Sequence, residues 1–413
     1  MKFSEFVETN PKIEMEKGEE YEFVEMADIT PGNKYVYSKR KRELKGGSRF
    51  QSEDVLFARI TPSLEHGKIA QFKSNSDKPA FGSTEFFVFR KIEGVSDQDF
   101  VYYLSLTDTI RKSAEKSMVG ASGRQRANLE TIKNVEMDPP EFSVQQKIAT
   151  ILSNYDDLIE NNTKRIQLLE KMAKLIYDEC FVKFKFPRHE KVKFVDSELG
   201  KIPEGWEKGV IKDLYYVQPG FAFKSKHYSE EGSPIIKIKN IHEDGSIDIE
   251  KVNRIPFDII KDYDRFKLDR DDLLIAMTGA TIGKVGLMPI TDEPFYLNQR
   301  VARFIPKIEK RHLYYLYFYS TGGTFRKTIE NISLGAAQPN ISGENIENIK
   351  LLKPAINILN EFCILVKPPF NEILNLRAKN QTLRKTRDLL LPKLISGQVD
   401  VSDLDINVPG MEI

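Results

Sequence analysis

Residues 142–186, FSVQQKIATILSNYDDLIENNTKRIQLLEKMAKLIYDECFVKFKF, contain neither proline nor glycine. Their apolar side chains recur at Val144, Ile148, Ile151, Tyr155 and Ile159, then Ile166, Leu169, Ala173, Ile176 and Cys180. Steps of three and four keep one seam on one side of a helix. At ~1.5 Å per residue such a helix reaches on the order of 60 Å, farther than a small domain is wide, so it needs something to lie against. The matching candidate lies late in the chain, where Phe362, Val366, Phe370, Ile373, Leu383, Leu390 and Leu394 repeat the steps. Periodicity alone leaves two readings open, a pair of helices or two unrelated core helices. Pro368 and Pro369 predict a break, with a short leading segment and a main helix over about 370–396 that stops at Gly397. Asn162 and Asn380 fall on or near the seams, either as a polar contact that sets register or as edge positions turned to solvent.

The order of everything else favours a pair. FVEMADI (23–29) and DVLFARI (54–60) read as strands, followed by GKIAQF (67–72), FGSTEFFVFR (81–90), a helix-like DFVYYLSLTDTIRKSAEK, a Gly-rich loop GASGRQRANLETIKNVEM, and Pro139-Pro140 before the first long helix. The second half answers in the same order with IIKIKNI (235–241), DLLIAMT (272–278), GKVGLM (283–288), FYLNQRVARF (295–304), HLYYLYFYSTGGTFRKTIE, GAAQPNISGENIENIKLL and Pro354. The chain is a tandem duplication. The expected fold is α+β: two similar globular domains alternating with two long helices that pair as an antiparallel coiled coil, a pseudo-two-fold internal repeat. The expected limits are 1–141 and 188–354 for the globular domains, 142–187 and 355–400 for the helices, and 401–413 for a tail, with 187–207 holding the linker and the turn into the second domain.

Formal net charge is +1, which argues against a protein that coats nucleic acid by bulk charge and leaves room for a local basic surface. Two cysteines, five scattered histidines and no CxxC pair suggest neither a disulfide framework nor a zinc site. No apolar run approaches a membrane span, and acidic residues in MKFSEFVETNPK stand where a signal peptide has its apolar core, so a cytoplasmic protein is expected.

No catalytic constellation is present in the sequence. DPPE (138–141) and KPPF (367–370) each lack one end of the loop used by AdoMet-dependent amino methyltransferases, and GATIGK (279–284) lacks the spacing and hydroxyl of a phosphate-binding loop. What recurs is the vocabulary of nucleic-acid contact. Lys39, Arg40, Lys41, Arg42, Lys45 and Arg49 crowd one predicted loop, a cationic arm able to approach phosphates. Arg124, Gln125 and Arg126 lie in a Gly-flanked loop and can donate forked hydrogen bonds to base edges. The matching loops of the second half hold Lys224 and Lys226 around Ser225, Thr278 and Lys284, Asn298, Gln299 and Arg300, then Gln338 and Asn340. Any one of these can be a solvated side chain, and Asn298 and Gln299 can simply close a turn. Polar or basic loops at corresponding places in both halves are the stronger signal.

Several segments resemble the specificity subunit of Type I restriction-modification enzymes: LIYDECFVKFKFPRHE (175–190), SELGKIPEGWE (197–207), FYLNQRVARF, GAAQPNIS and NQTLRKTRDLLLPKLISGQV (380–399). The resemblance spans essentially the whole chain. It departs at Cys180, where a tryptophan is common, and at the opening of the first domain, which lacks the Pro-x-Gly-Trp turn of the second. It implies a non-catalytic reader of double-stranded DNA, each recognition domain binding half of a split asymmetric site and the helices fixing the gap. It also implies two modification subunits and restriction subunits as partners, with AdoMet, ATP and Mg²⁺ on those chains and no cofactor here. A coiled-coil scaffold with incidental basic loops, and a self-contained methyltransferase, are the competing readings.

Overall fold

The computed structural model describes residues 1–76, 78–121, 123–197, 200–333 and 340–408. It divides into two units, one of Met1–Thr163 with Lys379–Ile413 and one of Lys164–Ala378. Each unit therefore holds one globular head and a stretch of both long helices.

In the first unit the run DVLFARI becomes strand Val55–Ala58, buried at every residue because it lies inside a sheet covered on both faces. The sheet order is Val7–Thr9, Phe86–Lys91, Val55–Ala58, Ile69–Lys73, Tyr35–Tyr37. A second sheet runs Arg40–Glu43, Glu20–Val24, Ala80–Gly82, Ser48–Phe50. The second unit repeats the first four strands of the five-stranded sheet and all four of the other: Tyr215–Pro219, Val301–Pro306, Leu273–Ala276, Val285–Leu287, and Asn253–Ile255, Ser233–Ile236, Phe295–Leu297, Lys267–Leu268. The second sheet of each unit even places one parallel pair at the same point, Val24 beside Gly82 and Ile236 beside Leu297. The turn into the central strand is also shared. Gln51 N–H donates to Asp54 at 2.8 Å and Asp269 N–H to Asp272 at 2.9 Å, and the residue before each aspartate, Glu53 or Asp271, has positive φ.

Three expectations from the sequence are revised by this architecture. FGSTEFFVFR and FYLNQRVARF are each two strands in different sheets, because residues 83–85 and 298–300, a polar break of three residues in each run, carry the chain across. The single helix of each head is two, Gln98–Leu106 with Asp108–Lys116 and Leu313–Thr321 with Gly323–Ser333, parted where Thr107 and Gly322 are extended. Finally, the second long helix is one element, Ile356–Ile395, that continues through Pro368 and Pro369. Each proline removes an N–H donor and would cost an isolated helix about 3 kcal/mol. Here Phe362, Val366 and Phe370 are anchored in the core on either side of them, and that packing holds the helical path.

The first long helix, Phe142–Tyr177, ends in a wide turn over Asp178–Val182. Within each unit the two long helices touch, and the contacts run in opposite directions along them. In the first unit Asn162 Nδ2 donates to Asn380 Oδ1 at 2.8 Å, and Asp156 pairs with Arg387. In the second, Ile166 packs with Ile373 and Leu376, and Phe181 meets Phe362 edge-on at 4.8 Å. The seam asparagines thus form a polar contact with each other rather than face solvent.

The heads grip these helices by different chemistry. In the first unit Tyr103 donates to Asp156 at 2.6 Å, Arg387 donates to Gly32 O at 3.0 Å, and Lys34 reaches Ser153 at 2.7 Å and Asp99 at 3.0 Å. Burial raises the Asp156 carboxyl above its ordinary range, and Arg387 and Tyr103 pull against that shift. In the second unit the same interface is aromatic: Tyr314 stacks on Phe370 at 4.6 Å, and Phe181 meets Tyr315 at 4.7 Å.

Arg387 and Asp156 are 3% and 1% exposed, so removing Arg387 leaves the Asp156 carboxylate buried with no ion partner and only the Tyr103 hydroxyl donating to it. Arg387→Ala is expected to lower the stability of the first unit by about 3–5 kcal/mol in chemical denaturation. A loss below about 1 kcal/mol would remove the network from the account of this interface.

Candidate nucleic-acid interface

The central strand of the first unit ends at Ala58, and the next residues are pinned from two sides. Arg59 N–H donates to Glu85 O at 3.0 Å, and Ala127 N–H donates to Arg59 O at 2.7 Å. Thr61 N–H reaches Gln125 O at 3.0 Å, and Gln125 N–H returns to Thr61 Oγ1 at 3.1 Å. Arg126 and Val119 exchange both backbone bonds, closing the Gly-rich loop on itself. Three segments far apart in sequence, 59–61, 83–85 and 119–127, are thereby knotted at one edge of the head.

The knot gathers charge. Arg126 donates through Nε to both oxygens of Glu85 at 3.0 Å and through Nη2 to Oε1 at 2.6 Å. Arg59 Nε approaches the same carboxylate at 3.7 Å, and its guanidinium sits 5.1 Å from the ring centre of Phe87. Hydrogen bonding and charge from Glu85 hold the Arg126 guanidinium above its ordinary pKa. Arg124 is exposed and Gln125 half-buried in the same loop. A surface cleft of about 530 Å³ beside the knot is bordered by Arg59, Arg49, Lys12 and Thr84.

The second unit ties the same knot with other side chains. Met277 N–H donates to Arg300 O at 2.9 Å, Ile341 N–H to Met277 O at 3.0 Å, and Thr278 bridges to Asn340. Asn298 N–H donates to Ile236 O at 3.2 Å just as Ser83 N–H donates to Val24 O at 3.1 Å. Gln299, Arg300 and Asn340 are exposed and Thr278 is half-buried. Asn298 is 5% exposed, and its backbone closes the turn before strand Val301–Pro306 by accepting from Val301 at 2.9 Å. Gln338 lies outside the described residues.

The remaining basic positions are placed away from a free arm. The expected loop over 38–50 is instead strand Arg40–Glu43, paired with Glu20–Val24, and strand Ser48–Phe50. Arg40 pairs with Glu25 at 3.2 Å and Asp28 at 3.1 Å, Arg42 with Glu25 at 2.5 Å, Lys39 with Asp28 at 3.5 Å, and Lys45 with Glu43 at 3.5 Å. Arg49 donates to Ile13 O at 2.9 Å. Lys284 lies 3.0 Å from Glu243, which also pairs with Arg326, and hydrogen bonds from Arg326 and then Lys284 hold the Glu243 carboxyl below its usual range. Lys224 and Lys226 are exposed around the turn Ser225–His227. Arg59 and Glu85 were not singled out from the sequence, since each sits inside a run that reads as strand and its partners are distant along the chain.

Among the described residues no cluster of His, Cys, Asp and Glu could hold a metal ion, and no helix is long and apolar enough to cross a membrane.

The profile of the Type I restriction modification DNA specificity domain matches residues 6–171 and again 203–361. The Type I restriction enzyme MjaVIII specificity subunit of Methanocaldococcus jannaschii is 30% identical over 306 residues, covering 73% of this chain and 71% of that protein. The MjaIX specificity subunit of the same organism is 29% identical over 308 residues, 74% of this chain and 70% of that one. The crystal structure of a Type-I restriction-modification system S subunit from M. genitalium shares the fold at TM-score 0.55 and 16% identity, over 96% of this chain and 95% of that one.

Thr61→Val removes the hydroxyl that accepts from Gln125 while keeping the side-chain shape. It is expected to cost about 1 kcal/mol, read as faster amide exchange at Gln125 with the exchange of strand Val55–Ala58 unchanged.

Proposed function

This chain belongs to the family of Type I restriction modification DNA specificity proteins, and from that membership we propose that it is the sequence-reading subunit of such a system. The observation that carries the reading is the knot tied twice, one backbone scaffold in two heads with different donors and acceptors at the same places. That is what a protein needs to address two different halves of one asymmetric site with one mode of approach.

In this reading residues 1–141 and 188–354 are the recognition domains. The long helices, 142–187 and 355–400, pair antiparallel along their length as a coiled coil, and the two heads relate by a pseudo-two-fold axis. The opposed contacts Asn162 with Asn380, Asp156 with Arg387, and Ile166 with Ile373 support the pairing. Half-sites about one turn of duplex apart, ~34 Å, fall within the reach of such a rod, so helix length acts as a ruler. Arg124, Gln125, Arg126, Arg300 and Asn340 face bases, and Gln338 belongs to the same candidate set. Lys39, Arg40, Arg42, Lys45, Arg49, Lys224, Lys226, Thr278, Lys284 and Gln299 meet phosphate or flanking edges, with Asn298 supporting them from beneath.

The chain itself is non-catalytic in this scheme and works in the cytoplasm. Two modification subunits supply AdoMet chemistry on the target adenine, and restriction subunits supply ATP- and Mg²⁺-dependent cleavage. This chain's contribution is to place one duplex at a fixed distance and register.

Two outcomes test the proposal. Arg126→Ala and Arg300→Ala, each in the assembled complex, should lose about 1–3 kcal/mol of discrimination at one half-site only, measured by competition between duplexes altered in one half. Equal loss in both halves would count against modular reading. Removing seven residues from the middle of the first long helix, with an equal cut in the second, should shorten the gap in the methylated sequence or prevent assembly. A variant that assembles and methylates the unchanged site would refute the ruler.

A further inference from the structure

Arg59, Glu85 and Arg126 occupy the places in the first head that Met277, Arg300 and Asn340 occupy in the second. The correspondence is fixed by backbone bonds. Arg59 to Glu85 matches Met277 to Arg300, Ala127 to Arg59 matches Ile341 to Met277, and the bridge of Ile60 with Arg126 matches that of Thr278 with Asn340. The scaffold is kept while all three side chains change, and at one position a carboxylate stands where the other head has a guanidinium. A surface that only attracted phosphate would keep cations at all these places. Positions that only supported the fold would keep the packing of the pair, yet Met277 is 7% exposed and Arg59 half-buried.

The geometry at Arg126 gives the carboxylate a role. Glu85 takes Nε–H and one Nη2–H, the lateral edge of the guanidinium. The group is planar, so the end-on pair of donors, one on each terminal nitrogen, points away from Glu85. That pair matches O6 and N7 of guanine in the major groove. Glu85 therefore fixes the direction of the fork while leaving its reading end unclaimed, and it removes side-chain freedom before any duplex arrives. Arg59, sharing the same carboxylate and backed by Phe87, keeps Glu85 from swinging away.

Resting on the reading of this chain as a DNA-specificity subunit, we propose that these three matched positions are the specificity-determining set of each head. Glu85 is a positioning residue that aims Arg126 at a guanine edge, and Arg300 and Asn340 present guanine- and adenine-type forks in the other half-site. Among the described residues no carboxylate pairs with Arg300.

The test uses the full chain assembled with its modification subunits and a pool of duplexes randomised across both half-sites and the gap. Wild type, Glu85→Gln, Arg126→Lys and Arg300→Lys are each carried through selection, alongside thermal unfolding and affinity for a single unrelated duplex. Glu85→Gln keeps the shape of the side chain, and Arg126→Lys keeps the charge on a half-exposed group, so both should fold with an unchanged thermal unfolding temperature. The expected result is that both lose roughly 10- to 100-fold discrimination at the same base pair of one half-site, while Arg300→Lys loses it only in the other half. An unaltered consensus in Glu85→Gln and Arg126→Lys, or loss spread evenly over both halves, would overturn the assignment. If Glu85→Gln weakens all duplexes alike with the preferred bases unchanged, the carboxylate is structural and the proposal fails. A wild-type complex that selects no bipartite consensus would instead overturn the DNA-reading function beneath it.

Discussion

Both candidate reading edges depend on one backbone hydrogen bond: the N–H just beyond the central strand donates to the carbonyl of the last residue in the turn between sheets. In the first head this joins Arg59 to Glu85 and in the second Met277 to Arg300. The bond forces the residue that leaves the core to lie beside the residue about to re-enter it, whatever their side chains are. Main-chain groups at such a place must be satisfied in any case, so the scaffold is set without reference to side-chain identity. That independence lets one fold carry two unlike sets of side chains at matching places.

The attachment of the heads to the helices shows the opposite policy, with equivalent positions solved by unlike physics. The first head uses Lys34, Asp99, Tyr103, Asp156 and Arg387, a buried network whose members all need one another. The second uses Tyr314, Tyr315, Phe318, Phe362 and Phe370, where each pair adds about 0.5–1.5 kcal/mol beyond burial. An ionic network tolerates little displacement, because a shift unpairs a charge in a low-dielectric setting. Aromatic edges strand no charge when they shift. Unlike interfaces also discourage a chain with two similar halves from folding with the wrong head on the wrong helix segment.

The duplication was legible because it lives in hydrophobic pattern: buried strands such as Val55–Ala58 and Leu273–Ala276 keep their apolar runs, and the order of elements survives. The candidate loops were legible for the same reason, since Arg126 and Asn340 follow matching Gly-rich segments. Three features were hidden by nonlocal causes. Ser83, Thr84 and Glu85 carry the chain from Ala80–Gly82 to Phe86–Lys91, a polar break too short to show from the sequence that the two strands belong to different sheets. Pro368 and Pro369 broke the local pattern, while the burial of Val366 and Phe370 that outweighs them comes from the head. Glu85, Glu25 and Asp28 could not be matched to Arg126, Arg40 and Arg42, because the pairing is made by strand order rather than by distance along the chain.

Those hidden carboxylates bear on how a protein of net charge +1 can select among duplexes. Most cations singled out in the first head already have an anion, with Arg40 and Arg42 on Glu25 and Arg126 on Glu85. Exposed pairs of this kind are worth only about 0–1 kcal/mol each, so exchanging a carboxylate for a phosphate oxygen is a nearly even trade. Unspecific adhesion is then weak, because little is gained by placing any phosphate there. A base edge that meets a fork already aimed by its carboxylate gains a second acceptor pair without giving up the first. On the proposed assignment, the acids beside Arg126 and its neighbours enlarge the difference between a right and a wrong sequence, and selectivity is obtained by lowering the attraction common to all DNA.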